Sequence, residues 1–339
     1  MLACLLCASS SAGEDPELTK VAEGIYARIV SPDGNAVANA CVAVLEQSVL
    51  VFDTHFTPEA GASLLAAIRS VTPKPVRYVV NSHWHADHTH GNQAFAGAQI
   101  ISSTNARRDM LQNDLPSLNR AVRIAQTQID KLRQAVSKEP DAGQRQKMRE
   151  QIKTREDYLQ TMTRLNITAP VITVNENTVI HEDKQEVRIL FPGAGHTDGD
   201  IVLFLPAQKV VFAGDLFFNN AIPNVQDASI LEWMKTLSRL LKLDADTFVP
   251  GHGPIGSKKD VQAFLRYLEE LKSLVSPAVE RGDSLEQTTR DLQLPAKYSS
   301  YQFQNFFPSN VQKMYTELKA LQIELPPAEV APKAEQRQP

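Results

Sequence analysis

The chain has 339 residues, of which 42% are hydrophobic and 22% are charged, and its formal net charge is −4 at pH 7. This length supplies enough apolar residues for one large domain or two small ones. The slightly acidic balance excludes the basic footprint that nucleic-acid binding requires, and beyond the N-terminus no apolar run reaches the ~18 residues that span a bilayer.

The first residues form a distinct segment. Residues 1–12 are apolar and then small, and the sequence turns acidic at Glu14 and Asp15. This pattern is typical of the end of a secretory signal. We therefore interpret residues 1–12 as the remnant of a signal peptide and expect a periplasmic or secreted protein.

From residue 17 onward the apolar pattern predicts an α/β fold. Short β-rich runs bounded by turn residues predict strands, and spacings of three and four predict helices. Strands are predicted at 24–30, 38–46, 49–53, 76–81, 170–174, 186–191, 201–205, 209–214 and 247–250. Helices are predicted at 58–71, 229–243, 258–281 and 310–321.

The predicted elements divide the chain into a body and its appendages. We assign residues 17–282 to one domain and residues 283–324 to a C-terminal helical extension. Residues 325–339 are rich in proline and polar residues, which predicts a disordered tail.

Residues 114–166 interrupt this domain with a different pattern. Apolar residues alternate spacings of three and four over the first arm, at Leu115, Leu118, Val122, Ala125, Ile129, Leu132 and Val136. A polar break follows, and a poorer series begins at Met148. The pattern predicts a helical hairpin whose arms pack on each other and on the body. Its role is left open between a structural arm, a lid over a site and a homodimer contact.

The stretch "NSHWHADHTHGN", residues 81–92, holds four of the eight histidines directly after a predicted strand. Histidine and carboxylate are the usual zinc ligands. Where a chain leaves a strand, residues i and i+2 can point one way while i+4 and i+5 point another. The order His83, His85, Asp87, His88 therefore favours two adjacent metal ions over one.

Three more ligand types follow downstream, each expected where a strand meets a loop. His196 lies in "PGAGHTDGD", Asp215 in "VVFAGDLFF" just after an apolar run, and His252 in "FVPGHGP". The neighbouring glycines permit tight turns.

In this order, H-x-H-x-D-H, G-H-T, G-D and G-H-G resemble the metallo-β-lactamase superfamily over roughly residues 21–271. The resemblance implies a four-layered αββα sandwich with a dinuclear site at one edge of the two sheets. It implies that His83, His85 and His196 hold the first metal. It likewise implies that Asp87, His88 and His252 hold the second metal and that Asp215 bridges both.

Two adjacent cations would lower the pKa of a bridging water to about 7 and so supply hydroxide as the nucleophile. Asp87 is the candidate catalytic residue that orients this nucleophile and carries its proton. Asp53, which ends a predicted strand, is either a residue that orients a ligating histidine or an ordinary strand-end aspartate. His90 either contacts substrate or lies on a solvent-exposed loop.

The ligand types suit zinc, and also iron or manganese. The flavin-linked diiron branch resembles H-x-E-x-D, with glutamate at the position of His85, and the persulfide dioxygenase branch uses one iron and fewer ligands. We therefore favour two zinc ions and hydrolysis. The best-known zinc β-lactamases commonly have cysteine in place of Asp215 and a substrate-anchoring lysine where this chain has Phe218.

We predict a dinuclear zinc hydrolase of a small acyl substrate, either a β-lactam, a lactone, an ester or a thioester. Residues 217–227 would lie beside the site and supply apolar packing and amides. Two alternatives are an iron-dependent sulfur or oxygen oxidoreductase of the same fold and a non-catalytic binding module.

Overall fold

The computed structural model describes residues 17–31 and 35–324. The signal segment, residues 1–12, and the tail, residues 325–339, lie outside the described residues. The strands are β1 (Thr19–Ala22), β2 (Ile25–Arg28), β3 (Ala40–Val44), β4 (Val49–Phe52), β5 (Val76–Val80), β6 (Gln99–Ser103), β7 (Ile172–Val174), β8 (Thr178–Glu182), β9 (Gln185–Leu190), β10 (Val202–Leu205), β11 (Val210–Phe218), β12 (Thr247–His252) and β13 (Gly256–Ser257).

The α-helices are α1 (Pro58–Val71), α2 (Ala86–Thr89), α3 (Thr104–Asp109), α4 (Leu115–Val136), α5 (Ala142–Arg164), α6 (Ile230–Leu240), α7 (Lys258–Arg281), α8 (Leu285–Asp291) and α9 (Phe307–Glu324). A short 3₁₀ helix, His90–Phe95, follows α2, and a π-helical turn, Met110–Asp114, leads into α4. None of the helices in the described ranges combines the length and the apolar character needed to cross a membrane.

The strands form two sheets. One has the order β1-β2-β3-β4-β5-β6-β7, and the other has the order β13-β12-β11-β10-β9-β8. In the first sheet β4 to β7 run parallel, and in the second β11 and β12 run parallel. The carboxyl ends of β5, β11 and β12 therefore contribute to one edge of the sandwich.

Apolar side chains join these layers. Phe52 and Leu50 of the first sheet pack against Phe212 and Ile189 of the second, in a core where the rings of Phe52 and Phe212 lie 6.0 Å apart. The outer face of the first sheet is covered by α1, which buries Leu64 and Ile68 at the four-residue spacing of one helix face.

The outer face of the second sheet is covered by α6, α7 and α9, and their shared core contains Trp233, Phe264 and Val311. The layers therefore run helix, sheet, sheet, helix, and the predicted αββα sandwich is confirmed. The C-terminal extension contributes Tyr298, Phe307 and Met314 to this core, so it packs as part of the second helical layer.

Between β6 and β7 the chain leaves the sandwich as a helical hairpin of α4 and α5. Arg155 Nε donates to Gln128 Oε1 over 3.1 Å near the middle of the two arms. At the base of the hairpin, Met162 forms a buried cluster with Phe56 and Ala86 of the body. The hairpin base therefore packs directly on α2, the helix that carries Asp87 and His88.

We expect the tip and the base of the hairpin to respond differently to mutation. Replacing residues 129–154 with a short Gly/Ser linker keeps the Gln128–Arg155 pair and should leave the fold and the metal content unchanged. Met162→Ala should lower the free energy of unfolding by about 2–5 kcal/mol, because it opens a cavity against Ala86. Chemical denaturation and elemental analysis measure both effects.

Deletion of residues 129–154 also tests the hypotheses that the hairpin is a homodimer contact or a lid over the site. Light scattering reports the mass in solution, and KM reports substrate access. If the tip deletion lowers the metal content while Met162→Ala leaves it unchanged, the base of the hairpin is not the part that supports α2 and its candidate ligands.

Candidate metal centre

Seven side chains predicted as ligands converge at the edge where β5, β11 and β12 end. They come from the turn after β5, from α2, from the loop between β9 and β10, from β11 and from the end of β12. In that order they are His83 and His85, Asp87 and His88, His196, Asp215, and His252.

The position of Asp215 differs from the sequence-based expectation. Asp215 was expected just after a strand, but β11 continues through it to Phe218. The ladder between β11 and β12 is irregular on both sides of Gly214, whose φ is +51°. This irregularity lets the carboxylate of Asp215 lie among the histidines while the strand continues beyond it.

The ligand atoms form three overlapping groups, within each of which all atoms lie within 4.8 Å of one another. The first group is His83, His85 and His196, the second is Asp87, His88 and His252, and the third is His83, His88 and Asp215. The third group thus joins Asp215 to His83 of the first group and to His88 of the second.

Asp53 orients one histidine in each of the first two groups. Its Oδ2 accepts from His88 Nδ1 and from Ser82 Oγ, both over 2.8 Å. Because the Ser82 hydroxyl proton is used in this way, His83 Nδ1 must donate to Ser82 Oγ, over 2.8 Å. Both histidines therefore present Nε2 to the centre, which is the arrangement that metal-binding histidines require.

Asp227 orients a third histidine. His85 Nε2 donates to Asp227 Oδ2 over 2.9 Å, which leaves Nδ1 of His85 facing His196 Nε2 at 2.9 Å. Sequence reasoning placed residues 217–227 beside the site and expected apolar packing and amides from them, so the role of the Asp227 carboxylate was missed.

The donor atoms fit a metal ion. Among the described residues, His83 Nε2, His88 Nε2 and Asp215 Oδ1 are buried and have no hydrogen-bond partner. Buried polar atoms are rarely left unpaired. Imidazole nitrogens and carboxylate oxygens that face a common point are satisfied by a bound cation.

Two histidines are held neutral. Burial lowers the pKa of His83 well below its ordinary value, and burial lowers the pKa of His196 to about 3. Both imidazoles are therefore unprotonated at neutral pH, which is the form that binds metal.

Two other histidines are held protonated in the metal-free protein. Burial lowers the pKa of His88, but the nearby carboxylates, chiefly that of Asp215, raise it by a larger amount. The net pKa therefore lies well above the ordinary value. The same balance of burial against the carboxylates of Asp215 and Asp87 raises the pKa of His252 to about 9.

This contrast predicts a pH dependence that differs between the groups. Metal can bind at His88 and His252 only after each imidazolium loses one proton, whereas His83 and His196 are already neutral at neutral pH. Zinc binding near pH 7 should therefore release about two more protons at the Asp87–His88–His252 group than at the other. Affinity at that group should rise with pH up to about pH 9, where His252 loses its proton.

Calorimetric zinc titrations in buffers of different ionisation enthalpy measure the protons released at each step. Two binding steps that release equal numbers of protons, with affinities equally sensitive to pH, would rule out this electrostatic asymmetry.

The remaining predicted site residues lie close by. Phe218 is buried and stacks on His252 with ring centroids 5.2 Å apart. The expectation that His90 lies on a solvent-exposed loop is wrong, since its side chain is 4% exposed. Asp114, at the base of the hairpin, lies 3.0 Å from His90 Nε2, and the ring of Phe56 stacks on the imidazole.

Comparison with solved structures supports the fold. A metallo-beta-lactamase from Pontibacter korlensis superposes with a TM-score of 0.56 at 20% sequence identity, covering 75% of this chain and 98% of that one. At this identity the likeness concerns the fold alone.

Two curated relatives match over most of this chain. The linear primary-alkylsulfatase of a Pseudomonas species is 21% identical over 275 residues, which are 75% of this chain and 50% of the relative. The alpha subunit of the 2,4-dinitroanisole O-demethylase of a Nocardioides species is 22% identical over 241 residues, which are 70% of this chain and 59% of the relative. The chain thus spans between half and three fifths of the length of these relatives.

A family model defines the membership. The model for the metallo-beta-lactamase superfamily matches residues 34–252, which is more than half of the chain and runs from the first sheet to His252. Most members of this superfamily are hydrolases, and the histidine and aspartate cluster lies within the matched range. The chain therefore belongs to the metallo-beta-lactamase superfamily.

Proposed function

We propose that this protein is a hydrolase with two zinc ions that cleaves a small, largely apolar acyl substrate. One observation carries the proposal: buried, unpaired donor atoms of His83, His88 and Asp215 face one another between two further groups of ligands. These groups would hold two cations, with the carboxylate of Asp215 in common. Imidazole and carboxylate are usual ligands of zinc.

The first zinc would be held by His83, His85 and His196, and the second by Asp87, His88 and His252. Asp215 would contact both. When bound, two zinc ions acidify a water molecule to a pKa of about 7, so that a nucleophile is available at neutral pH. The protein keeps its ligands in place through Asp53 and Asp227, whose carboxylates fix the ring orientation of the histidines they bind.

Asp87 is the residue best placed to orient the nucleophile and to take its proton. Its side chain is 14% exposed, compared with 4% for Asp215 and 1% for Asp53, so it is the most open carboxylate of the three. Burial raises the pKa of Asp87, but His88 and His252 lower it by a larger amount. The net pKa therefore lies below its ordinary value. Asp87 is therefore ionised at neutral pH and able to accept a hydrogen bond.

The substrate class is supported by the residues around the cluster. Phe218 stands where the zinc β-lactamases that this chain resembles commonly have a substrate-anchoring lysine, so it provides no charge for an anionic group. The two long-matching relatives are named for a linear primary alkylsulfate and for 2,4-dinitroanisole. We therefore test one compound with an alkyl chain and one with an aryl ring beside the acyl candidates.

The proposal is tested by turnover of a substrate panel by zinc-loaded protein. The panel contains a β-lactam, a lactone, an ester, a thioester, a linear primary alkylsulfate and 2,4-dinitroanisole. We expect turnover of an acyl member that is lost after chelation and restored by zinc. Turnover that survives complete removal of metal, or protein with two bound zinc ions that cleaves no member, would contradict it.

A further inference from the structure

A segment of the C-terminal extension is fastened beside the metal centre. The backbone N–H of Gln302 donates to Asn220 O, and that of Ile222 donates to Gln302 O, both over 2.9 Å. These bonds form a parallel bridge between Ala221 and Gln302. Residue 303 is thereby fixed next to the loop that follows β11.

Phe303 is held in an uncommon conformation that directs its ring toward the site. Its φ is +58° and its ψ is +33°, a left-handed conformation that costs an L-residue free energy. The ring meets the imidazole of His252 edge-on, at 5.5 Å and 88°. Such outliers persist where the surrounding structure imposes them, and they concentrate at functional sites.

The two aromatic neighbours of His252 differ in their exposure. Phe218, on one face, is 3% exposed and packs with Trp233 and Phe264 in the core. Phe303 is only partly buried, so it is the more accessible of the two residues. Phe218 packs on one face of His252 from the core, and Phe303 adds a second, less buried aromatic contact.

The carboxylates at the site are engaged by histidines. Within residues 17–31 and 35–324, the ion pairs of Asp53, Asp87, Asp215 and Asp227 all join these carboxylates to histidines. A tail that leaves the metals on the His252 side meets an aromatic ring there.

We propose that Phe303 forms the wall of an apolar subsite beside His252 that binds the alkyl or aryl part of the substrate. The inference rests on the proposed function, because it assumes that the reacting group lies at the metals. Phe303 is then a specificity-determining residue supplied by the C-terminal extension. Removing a hydrocarbon tail from water against its ring favours substrates with longer apolar groups.

The subsite is tested with ligands that bind but do not react. Acetate, butyrate and octanoate share one metal-binding head and differ only in the tail. Calorimetry with zinc-loaded protein should show affinity rising with tail length, by at most roughly fourfold for each fully buried methylene. Phe303→Ala should weaken octanoate binding about tenfold and acetate binding less than about twofold, since only the tail loses its contact. Phe303→Leu should retain most of the preference.

Two further variants separate this role from a structural one. Tyr301→Leu alters an aromatic residue of the same segment whose ring contacts Tyr298, and it should keep the preference for octanoate. Phe303→Gln fills similar space with a polar side chain and should lose that preference, so the test does not depend on the alanine variant folding.

Equal weakening of acetate and octanoate in the Phe303 variants, or a loss of bound zinc, would show that Phe303 only supports His252 and would overturn the subsite. Failure of the proposed function has a different signature. Zinc-loaded protein that prefers octanoate in a Phe303-dependent way, but turns over no member of the panel, would contradict hydrolysis and support the subsite.

Discussion

Replacing Asp215 with asparagine is expected to remove the second metal and to lower kcat/KM by at least about a hundredfold. The carboxylate of Asp215 lies 3.1 Å from His88 Nε2, 3.2 Å from His196 Nε2 and 3.4 Å from His252 Nε2. It therefore contacts histidines of both metal groups. Asparagine keeps the shape of the side chain and removes its charge, so the change isolates the electrostatic contribution.

The Asp215→Asn variant also has a signature that does not depend on turnover. In metal-free protein the pKa values of His88 and His252 should fall toward or below their ordinary range, because the carboxylate that raises them is gone. Histidine titration by NMR measures this shift. Asp244→Asn, at an exposed aspartate paired with Lys209, is the matched control and should change nothing. An Asp215→Asn variant with both zinc ions and an unchanged rate would refute the shared position of this carboxylate.

Gly251→Ala is expected to damage the same centre by steric overlap. A Cβ at residue 251 would lie 1.8 Å from Asp215 Oδ1, so the carboxylate would have to move. We expect loss of zinc affinity and a decrease of about 1–3 kcal/mol in the free energy of unfolding, as for other overpacked sites. The residue before His252 is therefore required to be glycine because of close approach.

Gly97→Ala is the control for this prediction. Its φ is +94°, and a Cβ there would meet no atom within 4 Å, so it adds backbone strain without overlap. That variant should lose some stability and keep its zinc. If Gly251→Ala binds zinc as tightly as the unaltered protein does, the close approach of residue 251 does not fix the position of the Asp215 carboxylate.

Much of the centre was predictable because the signal was local. His83, His85, Asp87 and His88 lie within six residues directly after β5, and such a density of ligand types is visible without a structure. The downstream residues were found because each lay near the end of an apolar run. Asp53 was found for the same reason, since it follows β4 directly.

Contacts that depend on tertiary structure were not predictable. Asp227 binds a histidine 142 positions earlier from an irregular loop with no motif of its own. The burial of His90 depends on Asp114 and Phe56, which come from the hairpin base and the loop before α1. Phe303 reaches the site only because Gln302 pairs with the loop after β11.

Two strands that were not predicted, β1 and β8, lie at sheet edges. β1, with the sequence TKVA, is the outermost strand of the first sheet, and its residues are exposed or partly buried. β8, with the sequence TVIHE, is the outermost strand of the second sheet, and its first four residues alternate between partly buried and exposed positions. An edge strand bonds to one neighbour only and buries little, so its apolar pattern is weak.

Elemental analysis of protein purified without added metal tests the central claim most directly. Three overlapping groups of candidate ligands, with Asp215 proposed to be common to both metals, predict about two zinc ions per chain. Chelation should remove them, and His88→Ala should retain only the zinc held by His83, His85 and His196. A single tightly held iron with no zinc would contradict the dinuclear zinc hydrolase.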